Sequence, residues 1–326
     1  MLSHLSQLNK NGWSCATGII HFCGHMISRD ESGRFPNSHE QPLKRAVDHF
    51  FQNNQVSDSF GSLAAGADIL IAESAIKHGV GLHLVFPYSI ETFINNSVLP
   101  SGKNWVDRFD LLLKQAKSTT VVYQRQPKDE IISYAECTEV AMGLGLLAAA
   151  QTDSLYDAKQ LVLWDGHTTD GEAGSYPDML RWNSLGLQSF YYDTKLDITR
   201  KQQHLNVQDN RRQSLQLSKF NYLQHSNLAK NNFSIAAYQQ QTPVVRIENP
   251  SDFFSHTKEL TNNKAIVWDL DQDIFGALNC NASSGITDRC AGLLAFYIMQ
   301  AQPVDFDSTV LEALGLINDL RIGGEK

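Results

Sequence analysis

The chain has 326 residues, 42% hydrophobic and 19% charged, with 27 Lys and Arg against 35 Asp and Glu and a formal net charge of −8. That length allows one large or two ordinary domains with proper cores, and the composition is that of a folded globular protein rather than a disordered one. An acidic chain repels phosphate backbones, which argues against a nucleic-acid partner, and no run approaches the roughly 18 to 20 uninterrupted apolar residues of a membrane helix.

In chain order, residues 1–16 form an N-terminal lead and Thr17 to Met26 read as a first strand. A helix over Leu43 to Gln52 and a short strand Ser57 to Gly61 follow, then a helix from Ala67 to His78. Gly81 to Pro87 is a nearly all-apolar strand of the kind buried on both faces, ended by its proline. Ser89 to Val98 and Trp105 to Ala116 read as helices, Ser118 to Tyr123 as a strand, and Tyr134 to Gln151 as a long Ala-rich helix. Gln160 to Trp164, Asp178 to Leu185 and Leu187 to Tyr192 complete a strand, helix, strand series. This alternation predicts an α/β domain over residues 17–197, a Rossmann-like parallel sheet with helices on both faces. From 198 to 241 the chain turns to Gln, Asn and Ser, a polar linker or arm whose basic cluster of Arg200, Lys201, Arg211, Arg212 and Lys219 reads as a solvated face. Residues 242–326 restart the pattern with strands VVRIE and AIVWDLD, a helix Asp252 to Leu260, an apolar helix Thr287 to Gln300 and a last helix Ser308 to Leu320. That is a smaller C-terminal α/β unit. Ala291, Leu294, Ala295 and Ile298 recur at helical spacing and predict a packed stripe.

The stretch Phe60 to Pro87 carries most of the chemistry. Gly61, Ser62, Ala64, Ala65 and Gly66 form a turn of small residues between a strand and a helix whose first amides are unpaired and partially positive. Small side chains there let a phosphate reach backbone N–H groups, and the same turn also serves plain strand–helix packing. Farther on, Leu161 to Gly166 (LVLWDG) leads into Gly174-Ser175 and a helix. In such sheets ligands sit beyond the carboxyl ends of the strands, where Gly24, His25, Gly61, Ser62, Pro87, Asp165 and Gly174 fall.

Gly66-Ala67-Asp68, Ala72-Glu73 and Leu82 to Pro87 resemble the signature of the SLOG superfamily, which includes the DNA-processing protein A (Smf) family and the lonely guy phosphoribohydrolases. Ser62 departs from it by standing where the loop usually has a glycine. FCGHM (Phe22 to Met26) with GRFP (Gly33 to Pro36) is similar to the first strand and loop of a bacterial branch. Trp164-Asp165-Gly166, Gly174-Ser175 and Tyr134 are similar to its second signature. The resemblance implies a nucleotide-type ligand held by Gly24, His25, Gly61, Ser62, Gly66, Pro87, Tyr134, Asp165, Gly166, Gly174 and Ser175.

Lonely guy enzymes place a glutamate just past their glycine loop to help cleave an N-glycosidic bond. The resemblance therefore makes Glu73 a candidate acid, although the spacing differs and the Pro-Gly-Gly-x-Gly-Thr-x-x-Glu motif is absent. Glu73 reads equally as a partner for a nearby Lys or Arg. Asp68, near the first turn of its helix, is a second candidate and also suits the helix dipole, a ribose hydroxyl or a backbone amide. His21, Cys23 and His25 alternate on one strand face in an HxCxH spacing, but no second cluster supplies further ligands, so no metal is expected. The acids of Ala265 to Asp273 read as a capped turn before a Mg²⁺ site. Cys15, Cys23, Cys137, Cys280 and Cys290 are scattered without a CxxC pair and read as reduced thiols.

The leading expectation is binding or sensing of a nucleotide or nucleotide-derived molecule, such as ADP-ribose, an NAD-like compound or a cyclic nucleotide, in bacterial signalling or defence. The rival is an N-glycoside hydrolase of the phosphoribohydrolase or NAD-glycohydrolase type. No cofactor beyond such a ligand is expected. The opening residues lack a basic-then-apolar leader, so a cytoplasmic protein without a membrane partner is the expectation, with homo-oligomerisation left open.

Overall fold

The computed structural model describes residues 18–128, 130–151, 158–169, 173–195, 222–225, 244–247, 267–270, 288–301, 314–315 and 317–318. Six strands, β1 (Gly18–Gly24), β2 (Val56–Gly61), β3 (Gly81–Phe86), β4 (Ser118–Val121), β5 (Lys159–Trp164) and β6 (Gln188–Asp193), form one sheet in the order β4-β3-β2-β1-β5-β6. Every neighbouring pair is parallel. Parallel neighbours need crossovers, and these are supplied by α1 (Glu40–Asn53), α2 (Ala67–Lys77), α3 (Ile90–Ser97), α4 (Lys103–Gln115), α5 (Glu130–Gln151) and α6 (Ser175–Ser184). The sheet is thus the Rossmann-like α/β architecture that the strand and helix rhythm predicts.

Period-two alternation decides which side chain enters which core. Ile20, Phe22, Leu82, Leu84, Phe86 and Leu163 meet α2 and its neighbours, while Ile19, Phe60 and Val85 meet α5 on the opposite face. The α2 sequence ADILIAESAIK is apolar nearly all round because the sheet lies beneath it and α1 and α4 beside it. Chain growth reverses between β1 and β5: β2 to β4 add on one side of β1, β5 and β6 on the other. At such a reversal the crossovers diverge and leave a crevice beyond the carboxyl ends.

Three helices begin three or four residues earlier than their periodicity suggests, α1 at Glu40 rather than Leu43 and two more at their polar or proline-bearing first turns. α5 starts at Glu130 rather than Tyr134 because the polar first turn carries no apolar stripe, and Ser133 Oγ donates to the Glu130 carbonyl there. α6 starts at Ser175 because Pro177 sits in the first turn, where a missing N–H costs nothing. α5 is long and apolar enough by composition alone to span a membrane. Here the sheet takes one of its sides and a further helix, α7 (Asp288–Ala301), the other. A Cβ on Gly143 would lie 1.7 Å from the Gly292 carbonyl oxygen, so the two helix backbones touch at this pair. Ala291, Leu294 and Ala295 of the predicted stripe are buried against α5.

A second, three-stranded parallel sheet has the order β7-β9-β8, from β7 (Tyr222–His225), β8 (Val244–Ile247) and β9 (Val267–Leu270). β7 lies inside the stretch that composition marks as a linker; its 4 residues hold only two apolar side chains, too few to stand out from the Gln and Asn around them. The N-terminal lead, the basic cluster, the helix expected over Asp252 to Leu260, Cys15, Cys280 and the acids Asp271 and Asp273 lie outside the described residues.

Candidate functional site

A cleft of about 920 Å³ opens at the β1/β5 reversal. Its walls are the end of β1, the turn after β2, residues 95–100, the start and first half of α5, and the turn that opens α6. Of the residues singled out from the sequence, it gathers His21, Cys23, Gly24, Gly61, Ser62, Ala64, Asp68, Tyr134, Cys137, Gly174 and Ser175. His25, Gly66, Glu73, Pro87, Asp165 and Gly166 do not line it.

His25 and Asp165 stand directly behind the wall. The Asp165 carboxylate accepts two hydrogen bonds from Arg34, Nε to Oδ2 at 2.9 Å and Nη2 to Oδ1 at 3.0 Å, and one from the His167 amide. Burial alone would raise its pKa, but these donors and His25 outweigh that and hold the carboxyl well below the usual carboxylate range. An ionised Asp165 only accepts, so His25 Nε2, 3.0 Å from Oδ1, carries the ring proton. Burial, reinforced by Arg34, lowers the His25 pKa and leaves Nδ1 bare. The Ser175 hydroxyl, 3.1 Å away, therefore donates to Nδ1.

On the other side Asp68, in the first turn of α2, accepts the Ala64 amide through Oδ2 at 3.1 Å. The Gly24 amide also acts on the carboxyl, while Oδ1 is buried without a hydrogen bond of good geometry, as is the Ser62 hydroxyl oxygen. Burial pushes the Asp68 pKa up to about 7, and the nearby Asp178 adds to the rise. Asp178, in the first turn of α6, is pushed up to about 7 by burial too, against the pull of Arg181 and a hydrogen bond from Thr138. Two protonatable carboxylates thus face one cleft from two helix starts. Asp178 was not singled out in the sequence; the signal is that it repeats Asp68, an acid in the first turn of a helix that follows a glycine turn. The far wall holds Tyr134 and Asn96, which with the buried Tyr88 behind them donate to Glu130 Oε1.

The glycine turn differs from a phosphate cradle. The Ala64 amide goes to Asp68, that of Ala65 to the Ser97 carbonyl, and that of Ala67 to the His25 carbonyl. Gly66 has φ +122°, and a Cβ there would lie 2.4 Å from the Ile27 nitrogen, so its glycine is required by the backbone it packs on. Pro87 ends β3 with its carbonyl accepting the Tyr123 amide, and Gly166 turns the chain after β5 with φ +79°.

Glu73 is built into an ion network away from the cleft. Arg108 Nε and Nη2 donate to its two oxygens at 2.6 and 2.9 Å, and Lys44 Nζ donates at 3.0 Å. Arg108 also reaches Glu40 at 2.8 Å, which ties α1, α2 and α4 together. Burial raises the Glu73 pKa, but Arg108 and Lys44 more than offset it and hold the carboxyl below its ordinary value. The HxCxH residues are likewise committed. Gln160 lies 3.1 Å from His21 Nδ1, the His21 ring stacks on Trp182, and burial pushes the Cys23 thiol up. Among the described residues no three His, Cys, Asp or Glu side chains gather as a metal site.

No protein-family model and no curated protein matches the chain. Among solved structures the chain is similar to the X-ray structure of DNA processing protein A from Streptococcus pneumoniae, at 12% identity and a TM-score of 0.34. The match covers 56% of this chain and 52% of that one, so it spans about half the length of each.

Proposed function

We propose that the chain is a SLOG-type binding or sensing protein for a nucleotide-derived small molecule, of the ADP-ribose, NAD-like or cyclic-nucleotide class, held in the cleft at the β1/β5 reversal. The observation that carries this reading is the position of that cleft: the two sequence signatures, separated by about a hundred residues of chain, meet across it at Ser62 and Ser175. Its volume of about 920 Å³ suits a ligand of that size. Residues beyond 242 would transmit the binding event, in bacterial signalling or defence. Sensing is favoured over hydrolysis because Glu73 is paired with Arg108 and Lys44 outside the cleft.

One observation supports hydrolysis as a second reading: Asp68 and Asp178 face the same space with pKa values near 7, so at neutral pH one can be protonated while the other is ionised. A single assay separates the two. Titration calorimetry of the full chain with ADP-ribose, NAD and cyclic nucleotides reads binding, and chromatography of the same mixtures reads released base. Saturable binding without base release is expected. Protein-dependent base release that disappears in Asp68→Asn replaces the sensor with the hydrolase, and no saturable binding by any of them contradicts both.

A further inference from the structure

We infer that the cleft takes an uncharged, hydroxyl-rich part of its ligand, the sugar of a nucleoside, and leaves phosphate groups outside. This rests on the reading of the cleft as the site of a nucleotide-derived ligand and deepens it. Three observations carry it.

The first is charge. Among the described residues lining the cleft there is no Lys or Arg, while Asp68, Asp178 and Glu130 all line it. A phosphate placed there finds no cation among these described lining residues to offset its desolvation, and it is repelled by whichever of the acids is ionised. Behind the walls, Arg34 already holds Asp165 through two hydrogen bonds, and Arg181, 3.6 Å from Asp178, donates to Glu139.

The second is the hydrogen-bond inventory. Three of the turn amides that would cradle a phosphate, those of Ala64, Ala65 and Ala67, are spent on Asp68, Ser97 and His25. Tyr88, Tyr134 and Asn96 spend donors on Glu130. What remains facing the space includes Asp68 Oδ1 and the Ser62 hydroxyl, both buried without a hydrogen bond of good geometry, and Asp68 is only 7% exposed. Ligand hydroxyls both donate and accept, so they satisfy the serine hydroxyl and the carboxyl whether it is ionised or protonated.

The third is Ser175. Its hydroxyl proton is committed to His25 Nδ1, because Asp165 fixes the other ring nitrogen as donor. Ser175 Oγ therefore turns lone pairs toward the cleft and accepts. The relay sets polarity rather than reactivity: a His25 whose proton affinity is lowered by burial and by Arg34 is a poor base for activating a serine nucleophile. The same three residue types meet again at Ser118, His83 and Asp58, with His83 Nδ1 2.7 Å from Ser118 Oγ and Nε2 3.1 Å from Asp58. That cluster lines no part of the cleft and provides an internal control.

The test is titration calorimetry of the full chain with the four ribonucleosides, their 2′,3′-dideoxy forms and their 5′-monophosphates, with D-ribose and pyrophosphate as competitors. For the best-bound nucleoside, loss of the two hydroxyls weakens binding about tenfold or more. The 5′-phosphate tightens it by less than tenfold, and pyrophosphate does not displace it. Ser175→Ala weakens it about tenfold, Ser175→Thr restores it, and Ser118→Ala leaves it unchanged. A monophosphate that binds tenfold tighter or more and is displaced by pyrophosphate overturns the inference while the nucleotide reading survives. Dideoxy forms that bind as well as the parents, or Ser175→Ala that binds as wild type, overturn it too. D-Ribose binding without any nucleoside binding keeps the inference and removes the nucleotide reading, and absence of all binding removes both.

Discussion

Asp68→Asn separates the electrostatic cost of the cleft from its geometry. The carboxyl has an ordinary value of 3.8 and is pushed up to about 7 in the folded chain, first by burial. A shift of about three units corresponds to about 4 kcal/mol between protonated and ionised forms. Because the folded value lies above the unfolded one, this contribution is fully present below about pH 4 and is lost as pH rises through about 7. Asn keeps the shape and an acceptor for the Ala64 amide but does not titrate. The NH2 group that takes the place of Oδ1 finds no acceptor there, a pH-independent cost of about 1 to 3 kcal/mol, and the lost charge at the helix start costs about 0.5 kcal/mol more at high pH. The diagnostic is therefore the slope rather than the offset. Urea unfolding at pH 4.5 and 8 should show wild type losing about 2 to 4 kcal/mol more than Asp68→Asn across that range. Parallel pH profiles for the two proteins would refute the buried, proton-holding Asp68.

Gly66→Ala places a Cβ 2.4 Å from the Ile27 nitrogen at φ +122° and should cost about 3 kcal/mol, read as a lowered thermal midpoint; an unchanged midpoint would mean the turn adapts. Glu73→Gln removes the charge that pairs with Arg108 and Lys44 and should cost about 2 kcal/mol of stability while nucleoside affinity stays as in wild type. A Glu73→Gln protein of wild-type stability with lost binding would move Glu73 into the site. Gly143→Ala drives a Cβ into the Gly292 carbonyl and should destabilise by about 3 kcal/mol, checked by urea unfolding.

The sheet is legible because central strands such as GLHLVFP are apolar runs bounded by glycine and proline, and because they alternate with helical stretches, of which α1 and α4 carry a clear period. What brings Gly24, Ser62 and Ser175 to one cleft is strand order, which follows from the alternation and the reversal beside β1. Spacing does not reveal how polar groups pair. Glu73 reads as a candidate acid until Arg108, 35 residues away, and Lys44 occupy both its oxygens. The small residues after β2 suggest a phosphate cradle, yet the amides of Ala64, Ala65 and Ala67 are taken by Asp68, Ser97 and His25. Asp178 is hidden for the opposite reason: an acid in a first helical turn is an ordinary helix feature, and only the packing that buries it beside Asp68 shows it faces the cleft.

Photolabelling with 8-azidoadenosine, followed by peptide mass spectrometry with and without excess adenosine, tests the central claim most directly. The account predicts adenosine-protected labels on peptides that line the β1/β5 cleft, around residues 61–68, 95–100, 126–141 and 173–178. Labels that adenosine does not compete away, or competed labels confined to peptides outside those walls, would contradict it.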